Sequence, residues 1–504
     1  MSRIFNLVSL EVLLFTFWGT TLSYVLFKFF HLNLMDEWIG RGLYPGLAFF
    51  NGLDFYEPDS GPHVTLYGWA TGLFYMLSGF GSDPDDAAFI AYCTNLLSVF
   101  FVLFALYRLC FYNSKSLSFR VVADSVALVA LSLAVAFLDP TTESLFRIHA
   151  DTPALVFLLL SIVLLKIFCD RKNQILLFLS ALCLCLSFWA KLPTLPACIL
   201  PAIFFATNGK WKSFVLFLLH LTVAFIITLA FVAIFYGVND SKFILLDHIS
   251  QNKWSDRNSL FYGKGAGLLQ MNYFEAIPLL FRFFVMYIEQ YWIIIIGVIG
   301  VFSLSFSKNT NPDKKFLLLN LSFAYFLTLP SCLSALAHFG SVENSLFFTN
   351  FIGILCIIAG IHCFLTEFNK TSHPSIFIWS ISLMLILPTL RVANSISISR
   401  HSPHQQAFEY LQAGNQDVFF GWYPISHLMA NDESYTSIEV PTWVSMTKPN
   451  DISFSKKHFP PKAEFLATCK IGYGGFSLQR YLGKLEEVES NRKLSHWRLF
   501  KIAK

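Results

Sequence analysis

The chain is 504 residues long, 55% hydrophobic and 13% charged, with a formal net charge of +4. Soluble proteins average roughly a quarter charged residues. The shortfall excludes a disordered chain, a nucleic-acid binder built on a basic surface and an ordinary water-soluble enzyme. The 56 phenylalanines suit helices that face lipid.

A bilayer core of about 30 Å is crossed by about 20 apolar residues in a helix that closes its own backbone hydrogen bonds. In chain order the spans fall near Leu7–Phe30, Ala87–Phe111, Val121–Leu138, Thr152–Cys169, Ile175–Ala190, Leu192–Ala206, Ser213–Tyr236, Ile288–Phe306, Phe316–Ala337, Leu346–Leu365 and Ser375–Ala393. That is about eleven by length and hydropathy. The first is too long for a signal-peptide core and lacks a small-residue cleavage site, so it reads as a retained span. The pair flanking Lys191–Pro193 is short and broken by proline; two crossings and a re-entrant hairpin both fit. Val64–Phe80 is apolar, but alternation leaves no room for it as a span, so it reads as an interfacial helix.

Alternation puts Arg3, Arg108, Lys115, Arg120, Lys166, Arg171, Lys172, Lys210, Lys212, Lys308, Lys314, Lys315 and Lys370 on one side, which the positive-inside rule makes cytoplasmic. The other side receives Asp36, Glu37, Asp54, Asp83, Asp139, Glu143, Asp151 and Glu343, among other acids. The N-terminus is then cytoplasmic and residues 395–504 form an extracytoplasmic domain. Alternating runs at Asp417–Trp422 and His496–Ile502, with a helical stretch near Gln405–Gln412, make that domain a small α/β unit. The expected fold is an all-α polytopic membrane domain over 1–394, followed by the α/β domain. Most cysteines lie inside spans, so no disulfide framework is implied.

Functional signal concentrates in Leu32–Gly81. An adjacent acidic pair, Asp36-Glu37, stands just beyond the first span, where desolvated carboxylates are costly. It is followed by Gly52-x-Asp54-x-Tyr56, then Pro62-His63 and Leu66-Tyr67-Gly68-Trp69. Two further segments stand at span ends: Arg147-Ile-His149-Ala-Asp151-Thr-Pro and Ser187-Phe-Trp-Ala-Lys191-Leu-Pro-Thr194. The glycine-rich Tyr262-Gly-Lys264-Gly-Ala-Gly267 lacks the full Gly-x4-Gly-Lys-Ser/Thr phosphate-loop pattern and reads as a loop closing over substrate. Asp83-Pro-Asp85 matches the Asp-x-Asp of nucleotide-sugar enzymes, but Ser82 to Asp85 before an apolar run is a helix-start signature, which is the preferred reading.

Together these segments resemble the GT-C superfamily of glycosyltransferases, in particular the bacterial protein-mannosyltransferase-like branch that includes aminoarabinose and lipopolysaccharide-core sugar transferases. The resemblance implies a membrane glycosyltransferase, transferring a hexosyl or pentosyl group from a polyprenyl-phosphate carrier to an envelope glycolipid, glycan or protein. It also implies inversion at the anomeric carbon, membrane lipid and no nucleic acid as partner, and residence in a bacterial inner membrane. Asp36 is then the candidate base, helped by Glu37 and Asp151. Glu37 is the candidate ligand for a divalent metal. Arg147, His149, Lys191, Lys264, Glu343 and Asn344 are candidates for the donor phosphate, and Asp54, Tyr56 and Tyr67 for the acceptor. The alternative is a transporter or flippase for a lipid-linked sugar. Such proteins tend to carry internal repeats and mid-membrane polar sites, whereas this chain has no visible repeat and its acids cluster at one surface.

Overall fold

The computed structural model describes residues 2–36, 39–53, 56–57, 61–62, 68–112, 119–235, 253–256, 267–270, 272, 274–338, 343–367, 374–398, 402–433, 435, 459–469, 482, 484–488 and 497–502. Among the described residues thirteen α-helices build the first part: α1 Ser2–Met35, α2 Ile39–Phe50, α3 Trp69–Tyr75, α4 Pro84–Phe111, α5 Phe119–Leu138, α6 Asp151–Arg171, α7 Gln174–Ala190, α8 Leu200–Thr207, α9 Trp211–Phe235, α10 Ile277–Ser305, α11 Pro312–Ala337, α12 Phe347–Glu367 and α13 Pro374–Asn394. Seven described helices, α4, α5, α6, α9, α10, α11 and α12, have the length and apolarity to cross a membrane. The chain is an integral membrane protein built mainly from helices.

Every expected span coincides with helix, and the Pro-broken one is explained by its geometry. Leu192–Ile199 is a 3-10 helix and continues directly into α8. Eight residues at 2.0 Å and eight at 1.5 Å amount to about 28 Å, enough for the hydrocarbon core. The segment runs antiparallel to α11. Its start is tied there by Ser331 Oγ donating to the Pro193 carbonyl at 2.6 Å, and its end by the Phe204 ring against Phe316, 5.0 Å between centroids. Those two anchors lie about 22 Å apart along α11 at helical rise. That length and antiparallel course fit a crossing better than a re-entrant hairpin. Helix α7 crosses beside α6, joined by Ser180–Ser161 Oγ at 2.9 Å and by Ser187 Oγ to the Ala154 carbonyl at 2.7 Å. Small hydroxylated residues of this kind let membrane helices approach closely.

Three local expectations change. Helix α2 was unforeseen because Gly40, Gly42, Gly46 and Pro45 argue against a helix. Burial of Leu43, Tyr44, Leu47 and Ala48 overrides that local preference. Of the expected interfacial helix Val64–Phe80, the described part is α3 and a 3-10 turn over Met76–Phe80; residues 64–67 lie outside the described residues. Trp69 and Tyr75 are buried inside the bundle, and Met76, Leu77 and Phe80 are exposed. Helix α10 begins at Ile277, well before the expected Ile288, and kinks at Tyr291, whose φ/ψ of −119/21° is not helical.

Polar contacts keep the two ends of the bundle separate. At the end carrying Asp36, Asn350 Nδ2 donates to Thr141 Oγ1 at 2.7 Å while Tyr287 donates to Asn350 Oδ1 at 2.8 Å. At the other end Lys166 pairs with Asp170 and Asp313, and Lys314 with Glu367. Helix α4 starts where the Ser82–Asp85 signature implies, but one residue on: Asp83, not Ser82, is the N-cap and accepts from the Asp86 amide at 2.9 Å, while Ser82 donates to the Asp86 carboxylate.

The C-terminal part combines α14 (Pro403–Gln412) and α15 (Pro424–Asn431) with a four-stranded sheet of β1 (Val418–Phe420), β2 (Phe465–Cys469), β3 (Leu485–Val488) and β4 (Trp497–Ile502). Their order is β1-β2-β4-β3, with β1 parallel to β2 and the other pairs antiparallel. Phe419, Phe420, Trp497 and Phe500 form its buried core. The expected helix and both alternating runs are present. This part also packs on the bundle, since Ile425 and Leu428 of α15 belong to the membrane core cluster.

Candidate active site

The candidate site forms where the end of α1, the 139–150 segment and the start of the broken crossing meet. The 139–150 segment supplies Glu143, Arg147 and His149 and is held through its backbone. Asn33 of α1, 2% exposed, accepts from the Ile148 amide at 3.2 Å and donates to the Phe146 carbonyl at 2.5 Å. Asn95 of α4 donates to the Arg147 carbonyl at 3.0 Å. Tyr75 of α3 donates within 3.0 Å of the His149 carbonyl and within 2.7 Å of Asn95 Oδ1. A carboxylate-free buried frame thus satisfies a run of backbone groups that would otherwise be costly in a membrane. Glycines let neighbouring backbones close in: a Cβ on Gly42 would stand 2.2 Å from the Ile148 oxygen, and one on Gly68 1.7 Å from the Trp189 oxygen.

Two charge clusters rest on this frame. In the first, Arg147 Nη1 reaches Asp36 Oδ2 at 3.2 Å and Nη2 reaches Glu143 Oε1 at 2.8 Å. The fork of one guanidinium therefore bridges two carboxylates. Burial pulls the Arg147 value down, but Asp36 and then Glu143 outweigh it and hold the guanidinium above its ordinary range. The Arg147 and Glu143 side chains are 37% and 32% exposed and Asp36 12%, so this cluster is open. In the second, Asp151 is fully buried between Lys191, which pairs with Oδ1, and His149, whose Nδ1 stands 2.7 Å from Oδ2. Lys191 follows α7 as its C-terminal cap and lies 5.8 Å from the Phe348 ring centroid. Its ammonium turns inward to Asp151 instead of snorkelling to the interface.

Asp36, Arg147, His149, Asp151 and Lys191 thus come together at one end of the bundle. Glu343 and Asn344 lie in a 3-10 turn over Glu343–Leu346 that leads into α12, next to the Phe348 that faces Lys191; their side chains lie outside the described ones. Tyr56 is in a two-residue strand paired with Gly61–Pro62, its side chain likewise outside. Glu37, Asp54, Tyr67 and Lys264 lie outside the described residues. Among the described residues no group of three or more His, Cys, Asp or Glu side chains is arranged to hold a metal ion. Sequence reading missed Glu143 as a site residue, although its spacing of four from Arg147 was available. It also missed His404, 2% exposed, whose Nε2 donates to the Asp36 carbonyl at 3.0 Å. Nothing local marks that histidine.

No protein-family model and no curated protein matches the chain. Among solved structures it is similar to ArnT from Cupriavidus metallidurans bound to undecaprenyl phosphate, at 13% identity and TM-score 0.44, over 81% of this chain and 69% of that one. It is also similar to the archaeal oligosaccharyltransferase AglB from Archaeoglobus fulgidus in complex with an inhibitory peptide and a dolichol-phosphate. That match has 10% identity and TM-score 0.38, over 88% of this chain and 64% of that one.

Proposed function

We propose that this protein is a GT-C-type membrane glycosyltransferase that moves a sugar from a polyprenyl-phosphate carrier to an acceptor hydroxyl outside the cytoplasm. One observation carries the reading: a largely buried carboxylate, Asp36, shares a forked, partly exposed arginine with Glu143 at the end of a membrane helix. The five sequence-derived candidates gathered at that end support it.

In the reaction, Asp36 takes the proton of the acceptor hydroxyl as its oxygen attacks the anomeric carbon. The bond from that carbon to the carrier phosphate breaks on the opposite face, and its electron pair leaves with the phosphate oxygen. The anomeric configuration inverts. Arg147 and Lys191 face the charge that develops on the phosphate. Asp151, buried and held between Lys191 and His149, acts by aiming them. Glu37 as a metal ligand, Lys264, Glu343 and Asn344 toward the donor, and Asp54, Tyr56 and Tyr67 toward the acceptor remain part of the proposal. So do the bacterial inner membrane, the cytoplasmic N-terminus and an envelope glycolipid, glycan or protein as acceptor.

The test is sugar transfer by purified protein in lipid nanodiscs, supplied with a polyprenyl-phosphate sugar and envelope extract. Asp36→Asn should lose at least about 100-fold in kcat with donor KM little changed. Full activity in that variant removes Asp36 from the role. Flipping of the lipid-linked sugar without any transfer overturns the enzyme reading.

A further inference from the structure

The α1–α2 corner has an unexpected neighbour. Residues 402–404 are more than 350 positions from Asp36 in the chain, yet they close over it. Ser402 caps α14, accepting from the Gln405 amide at 3.0 Å, and its hydroxyl donates to Asp85 Oδ1 at the start of α4. Two residues on, the His404 ring enters the bundle. A carbonyl oxygen only accepts, so His404 Nε2 carries the hydrogen toward Asp36. Nδ1 meets no partner among the described residues. The ring stands edge-on to Tyr423, 4.7 Å between centroids at 84°, and the His404 carbonyl accepts from Ser426 Oγ at 2.8 Å. The first turn of α2 abuts the same group: a Cβ on Gly40 would lie 3.4 Å from His404 Cε1 and 3.1 Å from Pro424 Cδ.

The Asp36 backbone is therefore pinned on both sides. Its amide donates to the Asn33 carbonyl at 3.1 Å. Its carbonyl accepts from the Ile39 amide at 3.1 Å and from His404 at 3.0 Å. With the backbone held, Arg147 has only the side-chain torsions of Asp36 left to set. We infer that the C-terminal α/β part is a working component of the active site, and that His404 is a positioning residue: its Nε2–H, given to the Asp36 carbonyl, holds the carboxylate in the register the transfer needs. The catalytic half of this inference rests on the reading of Asp36 as the base. The structural half does not.

A near-isosteric pair tests it in the full-length protein. His404→Gln keeps an N–H donor at about the same reach, and His404→Met fills the volume without one. Misplacement by about 1 Å can cost on the order of 100-fold in rate. His404→Met should therefore lose at least about tenfold in kcat with donor KM within about twofold, whereas His404→Gln should stay within about threefold of wild type. Amide hydrogen exchange supplies a readout apart from activity: the Ile39 amide, which shares the same carbonyl, should lose protection in His404→Met and keep it in His404→Gln. If His404→Met does not fold, His404→Asn, polar but too short to reach, takes its place. Equal kcat and equal Ile39 protection across the pair overturn the inference. If wild-type protein transfers no sugar, the transferase reading fails by itself and the exchange comparison decides the positioning role: equal protection overturns it.

Discussion

Replacing Lys191 by methionine removes one charge from the buried cluster while keeping the length of the side chain. Asp151 is fully buried and has two partners, Lys191 at Oδ1 and His149 at Oδ2. Taking one partner from a buried ion pair costs about 3–5 kcal/mol, because a carboxylate stays behind without its counter-charge. His149 remains at 2.7 Å with a side chain 15% exposed, able to carry a proton and keep Oδ2 satisfied. The expected loss is therefore near the low end, about 3 kcal/mol. Asp151→Asn is the milder change, about 1–2 kcal/mol, since Lys191, 17% exposed, can turn toward water. The double variant should recover at least about 2 kcal/mol of the summed losses, as expected for residues in direct contact. Denaturant unfolding in mixed micelles followed by tryptophan fluorescence gives all three values. A Lys191→Met variant within about 1 kcal/mol of wild type, or strictly additive single losses, would refute the claim that Lys191 neutralises a dry carboxylate.

Gly42→Ala should place a methyl 2.2 Å from the Ile148 carbonyl oxygen, costing about 1–3 kcal/mol through overpacking and lowering kcat by up to about 100-fold through displacement of Arg147. Unchanged activity in a folded variant would show that the 147–149 backbone tolerates the shift. Arg147→Lys offers a single ammonium where a fork now serves Asp36 and Glu143; transfer should fall at least about tenfold, with donor KM rising, in steady-state assay. Burial holds His404 at about 4, below its ordinary value of 6.5, against the opposing pull of the Asp36 carbonyl. The unfolded chain therefore binds the proton first: this contribution to stability is complete above about pH 6.5 and drains as the pH falls toward 4. His427, which burial lowers to about 3, acts in the same direction. His404→Gln should flatten the slope of unfolding free energy between pH 4.5 and 6 by up to about 1.4 kcal/mol per pH unit, and an unchanged slope would contradict the assignment.

The membrane spans were legible because hydropathy is a local property: a run of apolar residues long enough to cross lipid must close its hydrogen bonds within itself. The same holds for the helix start at Asp83 and for the strands at Val418–Phe420 and Trp497–Ile502. Helix α2 was not legible, because its glycines and proline point locally away from a helix and only burial among neighbours decides otherwise. The broken crossing was ambiguous for a related reason: counting residues does not distinguish the rise of a 3-10 turn from that of an α-helix.

Composition and spacing by themselves determined that this is a helical membrane protein with a small α/β part and a loop of unusual acids near the end of its first helix. Which acid meets which base was decided only by tertiary packing. Asp36 finds Arg147 111 residues away, Asp151 finds Lys191 40 residues away, and His404 reaches the Asp36 carbonyl across 368. Such pairings depend on how close helix backbones come, and that closeness is set by glycines such as Gly42 and Gly68 and by buried amides such as Asn33 and Asn95. None of these carries charge and only Gly68 stands in a motif, so the residues that build the site give little sign of it in the chain.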